Sequence, residues 1–218
     1  MRTAFHESID EVFRSIVEMM GLVGIAVAQA TEALLTGDDE LALQVIAQDD
    51  DIDELYQRLE LRVHELLATQ APVAGDLRAL IAVARIIGDV ERAGDLAQNI
   101  AKAARRLRPL DLPEHVATVL REMGRQGCLL MQRAAEAVRD REPDAAERLD
   151  LMDDVMDDLR REMFALLARP GPGADVELAM RLSLVTRHYE RIADHAVAIA
   201  ERVEFLVTGS AHESHVGL

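Results

Sequence analysis

Eight carboxylates stand out by type and spacing. Glu91 and Asp95 lie four residues apart in Gly88-Asp-Val-Glu-Arg-Ala-Gly-Asp95-Leu-Ala-Gln-Asn-Ile100, and Glu190 and Asp194 repeat that spacing in His188-Tyr-Glu-Arg-Ile-Ala-Asp194-His-Ala-Val-Ala-Ile199. Residues four apart stand one above the other on one helix face, so each stretch aims two like charges the same way at a cost in stability. Two further ladders precede them: Asp49 and Asp53 in one acidic run, Asp153 and Asp157 in another. At 100° per residue these four flank the apolar stripes Ile52/Leu55/Leu59 and Met156/Leu159, whereas Asp50, Glu54, Asp154 and Asp158 point away into solvent. If each Asp-x-x-x-Asp helix neighbours its Glu-x-x-x-Asp helix, two groups of four carboxylates converge. Such a group either raises its pKa values or takes a cation. All-oxygen donors suit Mg²⁺, Ca²⁺, Mn²⁺ or iron, with Zn²⁺ a further candidate. Asn99 could add an amide oxygen to the first group and His195 a nitrogen to the second.

A bland reading stands beside this one. A helical carboxylate ladder is commonly a solvated face paired with a neighbouring arginine, here Arg92 or Arg191. The matched recurrence in both halves is what lifts metal binding level with it. His195 taken alone reads as a packing histidine, the methionines of the fifth helix as core filler, and Cys128 as a small apolar residue.

The elements that must carry these residues are helices. Half of the residues are apolar while only 3% are aromatic, with no Trp, so the core is built from Ala, Leu, Val, Ile and Met; Ala and Leu are strong helix formers. The expected fold is all-α. Helical periodicity predicts segments over about 2–35, 40–67 and 74–107, a fourth that follows Asp111 and runs to about 140, and two more over about 145–167 and 175–207. Gly21 and Gly24 weaken the first or let a neighbour approach. Asp38 is a cap candidate after Thr36-Gly37, and Asp111 with Glu114 resembles a capping box. Arg169-Pro-Gly-Pro-Gly173 breaks the last pair. The order repeats after three helices, so we expect two tandem antiparallel three-helix bundles related by internal duplication, 1–109 and 110–208, with a flexible tail over 209–218.

Charge and motifs exclude several classes. A formal net charge of −16 argues against nucleic-acid binding and against adsorption to an anionic membrane, and favours cations or basic protein surfaces. No apolar run reaches the length of a membrane span, so direct insertion is not expected. The single cysteine fits a reducing cytoplasm. No residue is assigned a catalytic role. A di-iron carboxylate enzyme wants Glu-x-x-His, and no Glu or Asp stands three residues before any His.

Pro72-Val-Ala-Gly-Asp76-Leu-Arg78, Glu91-Arg-Ala-Gly-Asp95, Asn99-Ile-Ala and Glu190-Arg-Ile-Ala-Asp194-His-Ala-Val-Ala-Ile-Ala-Glu201 together resemble the PhoU family, closest to its actinobacterial, PhoY-like branch. The resemblance spans roughly Met1 to Gly209. It implies multinuclear metal clusters on paired Glu/Asp-x-x-x-Asp motifs in some members. It implies a cytoplasmic negative regulator of phosphate uptake and of the phosphate-starvation response, working with the ATPase of a phosphate ABC transporter and with a phosphate-sensing histidine kinase. A homodimer is expected. Departures from the pattern are Leu96 where His often follows the Asp, Ala198 where Asn is common, and Glu177 where the first half has Arg78; the two sites are therefore expected to differ. The alternative expectations are a metal-free helical adaptor and, behind it, a di-iron carboxylate bundle enzyme.

Overall fold

The computed structural model describes residues 2–107, 112–168 and 176–209. They form six helices: α1 (Arg2–Thr36), α2 (Asp39–Gln70), α3 (Gly75–Arg106), α4 (Glu114–Asp140), α5 (Ala145–Leu167) and α6 (Val176–Thr208). No strand occurs among the described residues. The expected boundary at 109/110, the break over 169–173 and the tail beyond 209 fall outside them.

Helix ends follow local chemistry. The Asp38 side chain accepts a hydrogen bond from the Leu41 N–H at 3.0 Å and caps α2. That helix stops at Gln70 before Pro72, with Ala71 in the left-handed region at φ 44°. Arg141 closes α4 in the same region at φ 52°, just before Pro143. The expected capping box at α4 involves Asp111, which lies outside the described residues; Pro113 holds the N-cap position, and its carbonyl accepts from Val116 and Ala117. Proline's fixed φ suits a helix entrance without a polar side chain.

Helices α1, α2 and α3 pack on one another, and so do α4, α5 and α6. Each set is a three-helix bundle, antiparallel because the links between successive helices are short. The bundles then join along two seams, α1 against α4 and α3 against α6, leaving α2 and α5 on the outside. The core is continuous across the seams. Ile16, Met19, Val23 and Val27 of α1, Leu120, Met123 and Met131 of α4, and Ile192 and Ile199 of α6 are all buried in one cluster. With α1 at 35 residues, the body is about 52 Å long at 1.5 Å per residue.

Small residues set the closest approaches. Neither Gly21 nor Gly24 is one of them, since a Cβ at either would meet nothing within 4 Å. The α1–α4 seam closes at Gly124, where a Cβ would fall 2.4 Å from Thr31 Oγ1 and 2.9 Å from Thr31 Cβ. Thr31 Oγ1 in turn lies 2.9 Å from the hydroxyl of Tyr189, a fully buried side chain of α6. A buried phenol needs such a partner, and this one ties α1 to the second bundle. Cys128 supports the same seam: its thiol faces the Gly24 carbonyl at 3.4 Å, and burial pushes its pKa up to about 11. It is a packing residue and a poor nucleophile.

Candidate metal centres and the seam between them

Helices α2 and α3 are packed neighbours, and so are α5 and α6. The four ladders therefore meet in pairs, as their spacing predicts. Gly94, inside the Glu91–Asp95 ladder, permits the first meeting. A Cβ there would sit 3.2 Å from two carbons of Ile52 and 3.5 Å from Asp49 Oδ1.

Electrostatics shows which carboxylates share a site. Asp49 is buried, and its pKa is raised to about 6 by that burial and by the charges of Asp53, Asp95 and Glu91. Lys102 opposes the rise. Asp53 is raised by burial and then by Asp95 and Asp50, and Glu91 by burial and then by Asp95 and Asp53. In the second bundle Asp153 is raised to about 7 by burial and by Asp194 and Asp157. Asp194 is raised by burial and then by Glu190, although more than a third of its own surface is open; the cause is the crowd of protein atoms around it. Asp50, Glu54, Asp154 and Asp158 are exposed, as the helical angles require.

The donor chemistry fits a hard cation: crowded carboxylates that hold protons more tightly than usual are stabilised by any positive charge placed among them. The geometry is open, however. Among the described residues no three His, Cys, Asp or Glu side chains are gathered closely enough to hold one ion. Asp95 and Asp157 stand exposed at the rims. Asn99 is exposed beside Asp95.

The two groups differ in the counter-charges they already have. Lys102 lies over the first and is held by the Gln98 side chain, whose amide also donates to the Ile46 carbonyl of α2 at 3.4 Å. In the second, Glu190 is engaged by two arginines, Arg187 at 2.9 Å and Arg160 at 3.4 Å. Spacing along one helix could not reveal Arg160, which arrives from α5.

His195 does not sit on the second group alone. Its Nδ1 lies 3.2 Å from Oδ1 of Asp89, on α3 of the other bundle, and the ring is close enough to both Glu91 and Asp194 to act on each electrostatically. The two acidic groups are thus neighbours across the α3–α6 seam. Asp89, buried to 3% exposure, is the centre of that seam. Arg202 Nη2 approaches its Oδ2 to 3.0 Å and Arg92 Nη1 its Oδ1 to 3.5 Å. Arg92 thus pairs with Asp89 while its charge also works against the rise at Glu91. Sequence reasoning missed Asp89 because the 99 residues that separate Glu91 from Glu190 pair it with His188, and His195 with Leu96. A network present in one copy leaves no trace in a search for matched pairs.

The chain matches the PhoU domain profile twice, over residues 16–104 and 120–203, and each match contains one acidic group. It is 44% identical over 211 residues to the phosphate-specific transport system accessory protein PhoU homolog 2 of Mycobacterium tuberculosis, covering 96% of this chain and 99% of that one. The crystal structure of PhoU from Pseudomonas aeruginosa superposes with a TM-score of 0.86 at 30% identity, covering 94% of this chain and all of that one. The phosphate transport system regulatory protein PhoU from Streptococcus pneumoniae gives 0.84 at 26%, covering 96% of this chain and all of that one. With two matched repeats, the same fold as solved PhoU structures and 44% identity along nearly the whole of a mycobacterial homologue, the chain belongs to the PhoU family.

Proposed function

We propose that this chain is an accessory regulator of phosphate-specific transport that restrains phosphate uptake and the phosphate-starvation response by binding other proteins. The observation that carries this reading is the 44% identity to a phosphate-transport accessory protein along 96% of the chain. A cytoplasmic location agrees with it: among the described residues no helix is long and apolar enough to cross a membrane. The partners we assign are the ATPase of the phosphate ABC transporter and a phosphate-sensing histidine kinase, met by a homodimer. Recovery of both partners with the untagged full-length chain at high phosphate supports the assignment. Recovery of neither, at high or low phosphate, contradicts it. No reaction is proposed.

Metal belongs to the same reading. Asp49, Asp53, Glu91 and Asp95 would hold a cation in the first bundle, and Asp153, Asp157, Glu190 and Asp194 in the second. A bound cation would neutralise the carboxylate repulsion and fix α2 on α3 and α5 on α6. The metal-free adaptor remains the second reading, favoured by the open side-chain geometry and by the two arginines that already occupy Glu190. Elemental analysis of protein purified without added metal separates the two. The metal reading predicts iron, manganese, magnesium or zinc in the wild type and its loss in Glu91→Ala/Asp95→Ala/Glu190→Ala/Asp194→Ala. Equal content in both proteins supports the adaptor.

A further inference from the structure

A cation between two acidic helices does two things: it neutralises their carboxylates and it ties the helices together. In the second bundle one side chain already does both. Arg160 reaches from α5 to Glu190 of α6, its Nε 3.4 Å from Oε2. Arg187 approaches the same oxygen at 2.9 Å from within α6. The Glu190 side chain is only 16% exposed, so these pairs are less screened than pairs between fully exposed groups.

The matched glutamate of the first bundle, Glu91, has neither partner. The 104 residues that separate Asp49 from Asp153 place Tyr56 where the second bundle has Arg160, and the 99 that separate Glu91 from Glu190 place Gly88 where it has Arg187. The Tyr56 hydroxyl donates to Glu60 at 3.0 Å. That hydrogen bond, then burial and the charges of Glu60 and Glu91, raise the pKa of the phenol, so the group in the place of Arg160 is neutral. Two cations stand nearby, and each is engaged elsewhere: Arg92 pairs with Asp89, and the Lys102 ammonium is held by the Gln98 side chain. Among the described residues Asp49, Asp53, Glu91 and Asp95 form no ion pair. A metal ion entering the first group therefore displaces none, whereas one entering the second competes with two guanidinium groups for Glu190. Breaking a partly exposed pair lowers affinity up to about fivefold. Repulsion between a divalent ion and a neighbouring guanidinium adds about tenfold even in water.

We propose that Arg160 is a built-in counter-cation of the second acidic group, so that the first group fills with divalent metal before the second does. This ranking of the two centres rests on the metal reading above. In the second bundle an ion pair ties α5 to α6 whether or not metal is present. In the first, no ion pair involves the acidic ladders, so an added cation acts mainly on the hold of α2 on α3. Metal availability is then read by the first bundle.

The test is calorimetric titration of Mn²⁺ into the full chain, stripped with a chelator that is then removed. Wild type is expected to show a tight phase and a second phase weaker by about tenfold or more. Glu91→Gln/Asp95→Asn is expected to remove the tight phase. In that background Arg160→Gln is expected to strengthen the remaining binding about tenfold, and Glu190→Gln/Asp194→Asn added to it to abolish the gain. Arg161 pairs with Asp158 at 2.6 Å, so Arg161→Gln in the same background is expected to change affinity by less than about threefold. The Arg160 side chain is 47% exposed, and a circular-dichroism melt shows that each variant is folded. Binding by Glu91→Gln/Asp95→Asn as tight as that of wild type overturns the proposal, as does an affinity that Arg160→Gln leaves unchanged. Both of those results leave the metal reading standing. An absence of Mn²⁺ binding by every protein overturns the metal reading and this proposal with it.

Discussion

Asp49 and Asp153 occupy matched positions in the two bundles, and each is a carboxylate that the fold holds in its neutral form more readily than water does. The pH consequence has a definite sign. A carboxyl group whose folded pKa lies above its unfolded value takes up protons on folding, so its stabilising contribution is full below the unfolded value and is lost as pH rises through the folded one. With folded values of about 6 for Asp49 and about 7 for Asp153, the metal-free protein is expected to melt at progressively lower temperature as pH rises from about 4 to about 8. Asp153→Asn removes a charge that is poorly accommodated, so it is expected to raise the melting temperature of metal-free protein at pH 8 and to leave it little changed at pH 5. A melting temperature that climbs steadily from pH 5 to pH 8 in chelated protein, or a lowered one in Asp153→Asn at pH 8, contradicts this account. The ladders themselves were legible in sequence, because helical angle alone decides which of two adjacent aspartates flanks the core. Their counter-charges were not. Lys102 stands seven residues past Asp95 on the same helix, and only the packing of α3 on α2 brings it over Asp49.

Helix limits follow from single residues whose chemistry acts locally: Asp38 as a cap, Pro72 and Pro143 as stops. Such effects need no knowledge of the tertiary fold, so sequence patterning recovers them. At α4 Pro113 takes the N-cap place, where its fixed φ suits a helix entrance. Close helix approach is harder still to read, because a glycine's neighbour depends on the seam. Gly21 and Gly24 face open space, while Gly124 lets α4 meet Thr31 of α1. Gly124→Ala is therefore expected to destabilise the protein by about 1–3 kcal/mol through overpacking, even against the roughly 1 kcal/mol that Ala gains over Gly within a helix. Gly21→Ala serves as the comparison and is expected to be neutral or stabilising. Chemical denaturation of the two variants checks both, and equal stability of the pair contradicts the assigned contact.

Two copies of a three-helix unit joined by α1–α4 and α3–α6 place both acidic groups beside one seam, with His195 between them. Duplication was legible because the motif spacing repeats. The seam was not, since its central residue Asp89 belongs to one copy alone and its partners His195 and Arg202 come from α6. The same asymmetry leaves the two metal candidates with different competing cations. One shared core keeps the bundles in register. The regulatory role is measured most directly by following a phosphate-starvation promoter reporter, together with phosphate uptake, in cells grown at high phosphate with and without this chain. Loss of the chain is expected to switch the reporter on and raise uptake despite abundant phosphate, and re-expression of the wild type to restore both. A reporter that stays off and uptake that stays unchanged in the cells lacking the chain would contradict the role assigned to it.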